Sequence, residues 1–354
     1  LNPAQKAAAL RRTVVGGPAE LDDDDEPARR RSAGRIVALT LVLLLAVVGG
    51  LVPIGFLVGN GIGFPVMFLV ATVILLLFSV GLTAMSRFLP KAGSFFVFAT
   101  HGLGRTPGLA TAYLALVCYT TVQIAVFSYL GATISSSVVL LGGPEIPWWL
   151  FTLASVALVG ALGYRQIELS SRVLVVVLLA EIGIVVLFGI VVLVTGGAEG
   201  VTFGSFLLQN VLSGSPALGL MFAIASFIGF ESTVVYRDEV RTPERTIPRA
   251  TYASAIVIGV FYAFAAWAIV VGVGEGAITE EAAVDPTTLI TRVTEQYLGP
   301  AGSTAVAVLF LGSMFAAVLS LHNVLTRYHH AMANARVLPD RVGSVHARHG
   351  SPHV

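Results

Sequence analysis

Residues 36 to 86 form an unbroken run of 51 residues without Asp, Glu, Lys or Arg. Further charge-free runs cover 106–144, 200–230, 250–274 and 296–326. A transmembrane helix needs about 20 apolar residues, so each of the first two runs is longer than one span. In lipid, backbone groups must form hydrogen bonds either within a helix or between the strands of a closed barrel. These runs are too long for barrel strands. The sequence therefore predicts an all-α polytopic membrane protein.

The apolar segments divide into eight predicted spans. They lie at roughly 36–58, 66–86, 109–131, 147–163, 173–195, 217–236, 251–274 and 303–322. With the N-terminus in the cytoplasm, the N-terminal tail and the loops 87–108, 164–172, 237–250 and 323–354 hold 20 of the 21 Lys and Arg residues. Only Arg292 falls outside. Because basic residues concentrate on the cytoplasmic side, we predict a multi-pass protein of the cytoplasmic membrane with its N-terminus inside.

The first 35 residues differ from the rest in composition. They contain DDDDE at 22–26 and RRR at 29–31, with no apolar core. We expect a disordered cytoplasmic tail and no signal peptide.

Several function classes find no support in the residues. Cys118 is the only cysteine, which excludes a disulfide or a thiolate zinc site. His322, His329 and His330 have no carboxylate or cysteine nearby to complete a metal site. No phosphate-binding or catalytic motif is present. Together these observations predict no enzyme activity, no cofactor and no metal. The basic residues follow membrane sidedness, so the sequence also predicts no nucleic-acid partner.

The stretch ASFIGFESTVVYRDEVRTPERTIPRAT at 225–251 interrupts an apolar segment with Gly229 and Glu231. It predicts a half helix from about Ala217 to Ser226, a break at 227–231 and a second half helix. Broken membrane helices occur where their freed backbone groups face a cavity, and their ends offer partial charges to a substrate. The alternative is that Glu231 only caps the second half helix.

Glu181 is the second acidic residue inside a predicted span. It follows Arg172 by nine residues, about 13 Å along a helix, which places it near mid-bilayer. A carboxyl group at that depth must face protein or water, so Glu181 is a candidate for proton coupling. The alternative is a structural hydrogen bond to a neighbouring helix. In the third span, five polar residues either line a site or bond across helices: Tyr119, Thr120, Thr121, Gln123 and Tyr129.

Three segments resemble the amino acid–polyamine–organocation permease superfamily. Residues 225–251 are similar to its sixth span and following loop; the matching positions are Asp238, Glu239, Pro243, Arg245, Pro248, Arg249 and Ala250. SRFLPKAGSFFVFATHGLGRTPG resembles its loop between spans two and three, with Pro90, Ala92, Gly93 and residues 102–105. The segment after span eight is similar to the corresponding loop. Together these matches cover most of the chain from about 50 to 352, in the right order.

The resemblance implies a leucine-transporter-like fold of two inverted five-helix repeats. The first repeat would occupy 36–195 and a partial second repeat 217–322. Residues 323–354 would form the cytoplasmic loop that normally precedes span nine, so the chain resembles a permease truncated after its eighth span. The implied function is secondary transport of an amino acid or related amine, often driven by protons.

The resemblance also implies a site between broken helices one and six. Ile228, Gly229, Phe230 and Glu231 match the helix-six break that holds the substrate, with Phe230 a candidate occluding aromatic. The break in the first span is assigned near Gly49 and Gly50, and Tyr119 and Gln123 complete the candidate substrate-binding set. Some proton-coupled members carry a lysine where Glu181 stands.

Two alternatives are a non-transporting receptor-like or assembly protein on a permease scaffold and, with less support, a channel. The coupling ion, the direction of transport and the oligomeric state stay open at this point.

Overall fold

The structure is a computed structural model that describes residues 44–86, 88, 95–140, 142–164, 171–230, 233, 242–334 and 338–339. Throughout these residues the regular structure is helical. The helices are α1 (Leu44–Val58), α2 (Phe64–Ser86), α3 (Phe95–Leu103), α4 (Arg105–Leu140), α5 (Trp148–Tyr164), α6 (Ser171–Thr195), α7 (Leu208–Val211), α8 (Pro216–Ala225), α9 (Pro243–Val273), α10 (Ile278–Val284) and α11 (Leu289–Asn334). Short 3₁₀ turns lie at Gly61–Gly63 and Gly204–Phe206.

Each predicted span overlaps a helix of the described residues. Among those residues, five helical segments are long and apolar enough to cross a membrane: Gly61–Ser86, Arg105–Leu140, Val175–Thr195, Pro243–Val273 and Leu289–Thr326. Shorter apolar helices, α1, α5 and α8, lie at the predicted first, fourth and sixth spans. Large apolar side chains such as Leu77, Leu114 and Val176 are exposed on the sides of these helices, as expected of surfaces that face lipid. The prediction of an all-α polytopic membrane protein is confirmed.

The eighth span is longer than predicted. α11 begins at Leu289 and ends at Asn334, whereas the apolar pattern indicated 303–322. The helix is kinked at Gly299, whose φ of 69° and ψ of −176° are not helical. Pro300 follows directly and is the first residue of the helical segment after the kink. Because the first N–H groups of a helical segment have no partner within it, proline costs no hydrogen bond at this position.

The core forms around α1, most of which is buried. α1 contacts α6, α8, α9, α10 and α11, so it lies in the middle of the bundle. α2 packs closely on α9, because Gly259 leaves room for the Thr72 side chain. The Thr72 hydroxyl donates to the Phe68 carbonyl at 2.7 Å, so this buried polar group is satisfied within its own helix.

The two ends of the bundle differ. One end, here called the loop end, contains the connections 59–63, 142–147, 196–215 and 274–288. There the Gly204 N–H donates to Glu275 at 2.9 Å. There Arg292 forms an ion pair with Glu281 at 3.4 Å, which joins α10 to α11. The opposite end is called the Tyr328 end, because Tyr328 packs there against Phe96 with ring centroids 5.6 Å apart. α4 is 36 residues long, about 54 Å, and connects the two ends.

Candidate functional site

The helix of the sixth apolar segment ends at the predicted place. α8 ends at Ala225, and residues 226–229 form turns in which Phe227 N–H donates to the Ile224 carbonyl at 3.1 Å. Gly229 has a φ of +107°, a conformation that favours glycine. A methyl group added at Gly229 would have no atom of the described residues within 4 Å, so the described residues leave open space beside the break. Glu231 and the predicted second half helix from about 232 to 236 lie outside the described residues, except for Thr233.

The first turn of α1 is held by side chains from two other helices. The N–H of Leu45 donates to Oε2 of Glu181 at 3.1 Å, and the N–H of Ala46 donates to the Ser313 hydroxyl oxygen at 3.1 Å. The first N–H groups of a helix have no partner within the helix and carry partial positive charge. A carboxyl group from α6 and a hydroxyl from α11 accept N–H groups where the described part of α1 begins, and these two contacts are called the cap of α1 below.

Glu181 is fully buried, as the sequence predicted for an acid that must face protein or water. Its second oxygen, Oε1, has no hydrogen-bond partner within the described part of the chain. Ser313 is also completely buried. The pair lies at the point where α1, α6 and α11 meet, deep in the bundle.

The predicted break at Gly49 and Gly50 is wrong. α1 is continuously helical from Leu44 to Val58, and neither glycine has a positive φ. Gly49 serves close packing instead, because a methyl group there would lie 2.6 Å from the Phe310 ring, whereas one on Gly50 would lie 3.7 Å from Tyr129, an ordinary contact distance. Glycine lowers helix propensity by about 1 kcal/mol, but this does not break a helix that is fixed by tertiary contacts.

The remaining predicted residues are spread over the bundle. Gln123 is buried and donates from Nε2 to the Val318 carbonyl on α11 at 3.0 Å, while its Oε1 has no partner among the described residues. Tyr119 lies toward the Tyr328 end, with its ring 6.1 Å from that of Tyr328. Both side chains therefore contact α11.

The aromatic residue next to the break faces the second span. Phe230 is buried, and its ring centroid lies 6.4 Å from that of Phe78 on α2. Ile228 is half-buried, and its N–H donates to the Ala225 carbonyl at 3.2 Å. The structure thus keeps Ile228, Gly229 and Phe230 together at the end of α8.

Ser313 in the interior was not singled out by the sequence pattern, and the partner of Tyr129 was not predicted. Ser313 lies in the apolar run LFLGSMFAAV, where a lone hydroxyl beside Gly312 was the available signal. Tyr129 belongs to the polar set of the third span, and its hydroxyl reaches the Gly49 carbonyl at 3.2 Å. A periodic pattern does not show which partner a buried hydroxyl meets.

No group of three or more His, Cys, Asp and Glu side chains that could hold a metal ion occurs in the residues that the structure describes. A polytopic helical membrane protein with an interrupted helix and a buried carboxyl group in its interior is the class that the fold and this site define.

The chain belongs to the amino acid permease family, whose family model matches residues 42–354. The match confirms the superfamily resemblance inferred from the loop motifs. This is a family of permeases and not of enzymes.

Curated relatives are similar over part of their length. The low-affinity putrescine importer PlaP of Escherichia coli is 26% identical over 210 residues, which are 57% of this chain and 45% of PlaP. The amino-acid permease RocC of Bacillus subtilis is 24% identical over 231 residues, 59% of this chain and 47% of RocC. The uncharacterized transporter Rv1999c of Mycobacterium tuberculosis is 33% identical over 137 residues, 38% of this chain and 29% of Rv1999c. The matches thus cover less than half of each relative.

Proposed function

We propose that the protein is a secondary transporter that moves an amino acid or a related amine across the cytoplasmic membrane. The observation that carries this proposal is the end of α8 at Ala225, inside the charge-free segment 200–230, with open space beside Gly229. A membrane helix ends within lipid depth only where its backbone faces protein or an aqueous cavity. The printed names of PlaP and RocC, a putrescine importer and an amino-acid permease, support the same substrate class.

The end of α8 suits an amino group. The C-terminal end of a helix carries partial negative charge, which favours a cation. Ile228, Gly229 and Phe230 follow that end, and the acidic Glu231 comes next in the chain. We therefore assign the substrate's ammonium group to this break, with Glu231 as its counter-ion.

Glu181 is our candidate for the coupling proton. Its Oε2 accepts the Leu45 N–H, and the buried Oε1 has no partner among the described residues, so this oxygen is where a proton would be held. An ionised carboxylate with one unpartnered oxygen is costly to bury, whereas a protonated one is less so. Because Glu181 also caps α1, gain or loss of the proton would change how firmly α1 is held against α6.

We infer the orientation from the distribution of basic residues. With the N-terminus in the cytoplasm, the loop end faces outward and the Tyr328 end faces inward. The segments 36–195 and 217–322 then correspond to a first inverted repeat and part of a second.

Uptake into proteoliposomes tests the transport proposal. Purified protein is reconstituted and offered radiolabelled putrescine and a panel of radiolabelled amino acids, with and without an imposed proton gradient. We expect saturable uptake of at least one of them, and its loss in Glu231→Gln. Glu295→Gln is the matched control, because Glu295 is exposed at the loop end.

Two results would count against the proposal in different ways. The absence of saturable uptake would favour a non-transporting membrane protein on a permease scaffold. Uptake that survives Glu231→Gln unchanged would keep the transporter and remove the assigned site.

A further inference from the structure

Pro53 lies inside α1 and frees one carbonyl group of that helix. Proline has no N–H, so the carbonyl four residues earlier, that of Gly49, loses its intrahelical donor. In a bundle core such a carbonyl needs another donor. The Tyr129 hydroxyl on α4 supplies it, with its oxygen 3.2 Å from the Gly49 carbonyl oxygen.

The same hydroxyl also reaches the loop between α10 and α11. The Tyr129 oxygen lies 3.1 Å from the Pro286 carbonyl oxygen, nearly the same distance as to Gly49. A phenol has a single O–H proton, so the two carbonyl groups share one donor. Through this one hydroxyl, α4 is bonded both to α1 and to the loop 285–288.

That loop is internally braced. Oδ1 of Asp285 accepts the Thr287 N–H at 2.9 Å, and Oδ2 accepts the Thr288 hydroxyl at 3.1 Å. The Thr287 hydroxyl donates to Oδ1 of Asp285 at 2.7 Å, and its oxygen also lies 3.1 Å from the Ser136 hydroxyl oxygen, within hydrogen-bond distance. Ser136 is two helical turns beyond Tyr129 on the same face of α4, so α4 holds the loop at two points.

A cavity of about 500 Å³ opens at the loop end beside this junction. Ser136, Glu145, Trp148 and Asp285 are among the residues that line it. On α4, Tyr129 lies about 10 Å further into the bundle than Ser136, at a rise of 1.5 Å per residue. A solute that entered the cavity and moved inward between α1 and α4 would meet the bonds of Tyr129.

We propose that Tyr129 is the latch of the outer gate, and that its shared hydrogen bonds to Gly49 and Pro286 must break before a solute passes between α1 and α4. This inference rests on the proposed transport function and orientation. Pro53 contributes to this gate, because it keeps the Gly49 carbonyl available for the hydrogen bond from Tyr129. Tyr129 is thus a positioning residue that sets the balance between the closed and open outer gate.

Cysteine labelling tests the latch without relying on transport. The reporter is Thr133→Cys in a Cys118→Ser background, since Thr133 is buried one helical turn beyond Tyr129. A membrane-impermeant maleimide is added to right-side-out vesicles that contain the full-length protein. Tyr129→Phe keeps the ring and removes the donor, so we expect labelling to become about three- to tenfold faster, the shift that one net hydrogen bond produces.

Ser128→Ala is the matched control. The Ser128 hydroxyl donates to the Ile124 carbonyl of its own helix at 2.9 Å, so its removal should leave the labelling rate unchanged. Labelling of Tyr129→Phe at the rate of Ser128→Ala would overturn the latch.

Pro53→Ala is a second variant that restores an N–H to compete for the Gly49 carbonyl, and removal of a helix-interior proline does not threaten folding. We expect it to raise labelling by itself and to add little in the Tyr129→Phe background, because both changes act on one hydrogen bond. Slower labelling of Pro53→Ala, or fully additive effects of Pro53→Ala and Tyr129→Phe on the labelling rate, would contradict the shared mechanism.

In protein that is active in uptake, Tyr129→Phe should change KM and kcat, and Ser128→Ala should change neither. A failure of all uptake would refute transport while the labelling result still decides on the latch.

Discussion

Removal of the Glu181 side chain should weaken the attachment of α1 to the rest of the bundle. In Glu181→Ala, the buried Leu45 N–H loses its acceptor, which costs about 1–3 kcal/mol. We therefore expect the free energy of unfolding to fall by about 1–3 kcal/mol, measured by denaturation in mixed detergent micelles.

Glu181→Gln separates the cap from the proton. Its amide oxygen can still accept the Leu45 N–H, so the free energy of unfolding should stay within about 1 kcal/mol of the original protein. The amide cannot bind and release the coupling proton, so uptake driven by a proton gradient should be lost. Ser313→Ala, which removes the acceptor of the Ala46 N–H, should lower the free energy of unfolding by about 1 kcal/mol.

The exposed Glu295 again provides the control, as Glu295→Ala. If Glu181→Ala is no less stable than this control, Glu181 does not cap α1. If Glu181→Gln retains full proton-driven uptake, Glu181 is a structural cap and the coupling proton binds elsewhere.

Three further predictions follow from the backbone and packing of single residues. Gly229→Ala should reduce uptake and lower the free energy of unfolding by about 1 kcal/mol or more, because a φ of +107° strains any side chain even where space is open; uptake and stability at the original level would refute the strained break. Gly49→Ala should lower the melting temperature in detergent, because its methyl group would meet the Phe310 ring at 2.6 Å. Gly50→Ala, with 3.7 Å to its nearest neighbour, should leave the melting temperature unchanged or raise it. Equal effects at the two positions would contradict this packing. Asp285→Ala should lower the free energy of unfolding by about 1–2 kcal/mol, since it removes the acceptor that orders the turn before α11. Limited proteolysis of intact vesicles should then cut the chain near this turn faster. An unchanged rate of cleavage would exclude the bracing role of Asp285.

The fold was largely predictable because its dominant signal is local. Each long charge-free run predicts a helix wherever it occurs in the chain, and helices lie at all the predicted places. The end of α8 was predictable for the same reason, since Gly229 and its neighbours form a recognisable interruption within a few residues. The extension of α11 to Asn334 was missed because residues beyond 322 are polar, and polar residues carry no apolar pattern whether helical or not.

The site was less predictable because its contacts join distant segments. Gly49 and Gly50 had the composition of a break, yet α1 is continuous there. The Gly49 glycine is explained by its close contact with the Phe310 ring, which leaves no room for a side chain. Glu181 was recognised as buried from its depth alone. Its partner, the N–H of Leu45, is 136 residues away in the chain.

By itself, the sequence determined that this chain is a membrane protein, where its apolar helices lie and which of them ends early. It could do so because a helix-length apolar segment is stable only in lipid or in a protein core. The tertiary structure alone decided that Glu181 and Ser313 cap α1, and that Tyr129 bonds the carbonyl that Pro53 frees. Those contacts depend on which helices are neighbours and how each is rotated about its axis, and neither is encoded in the composition of a single segment.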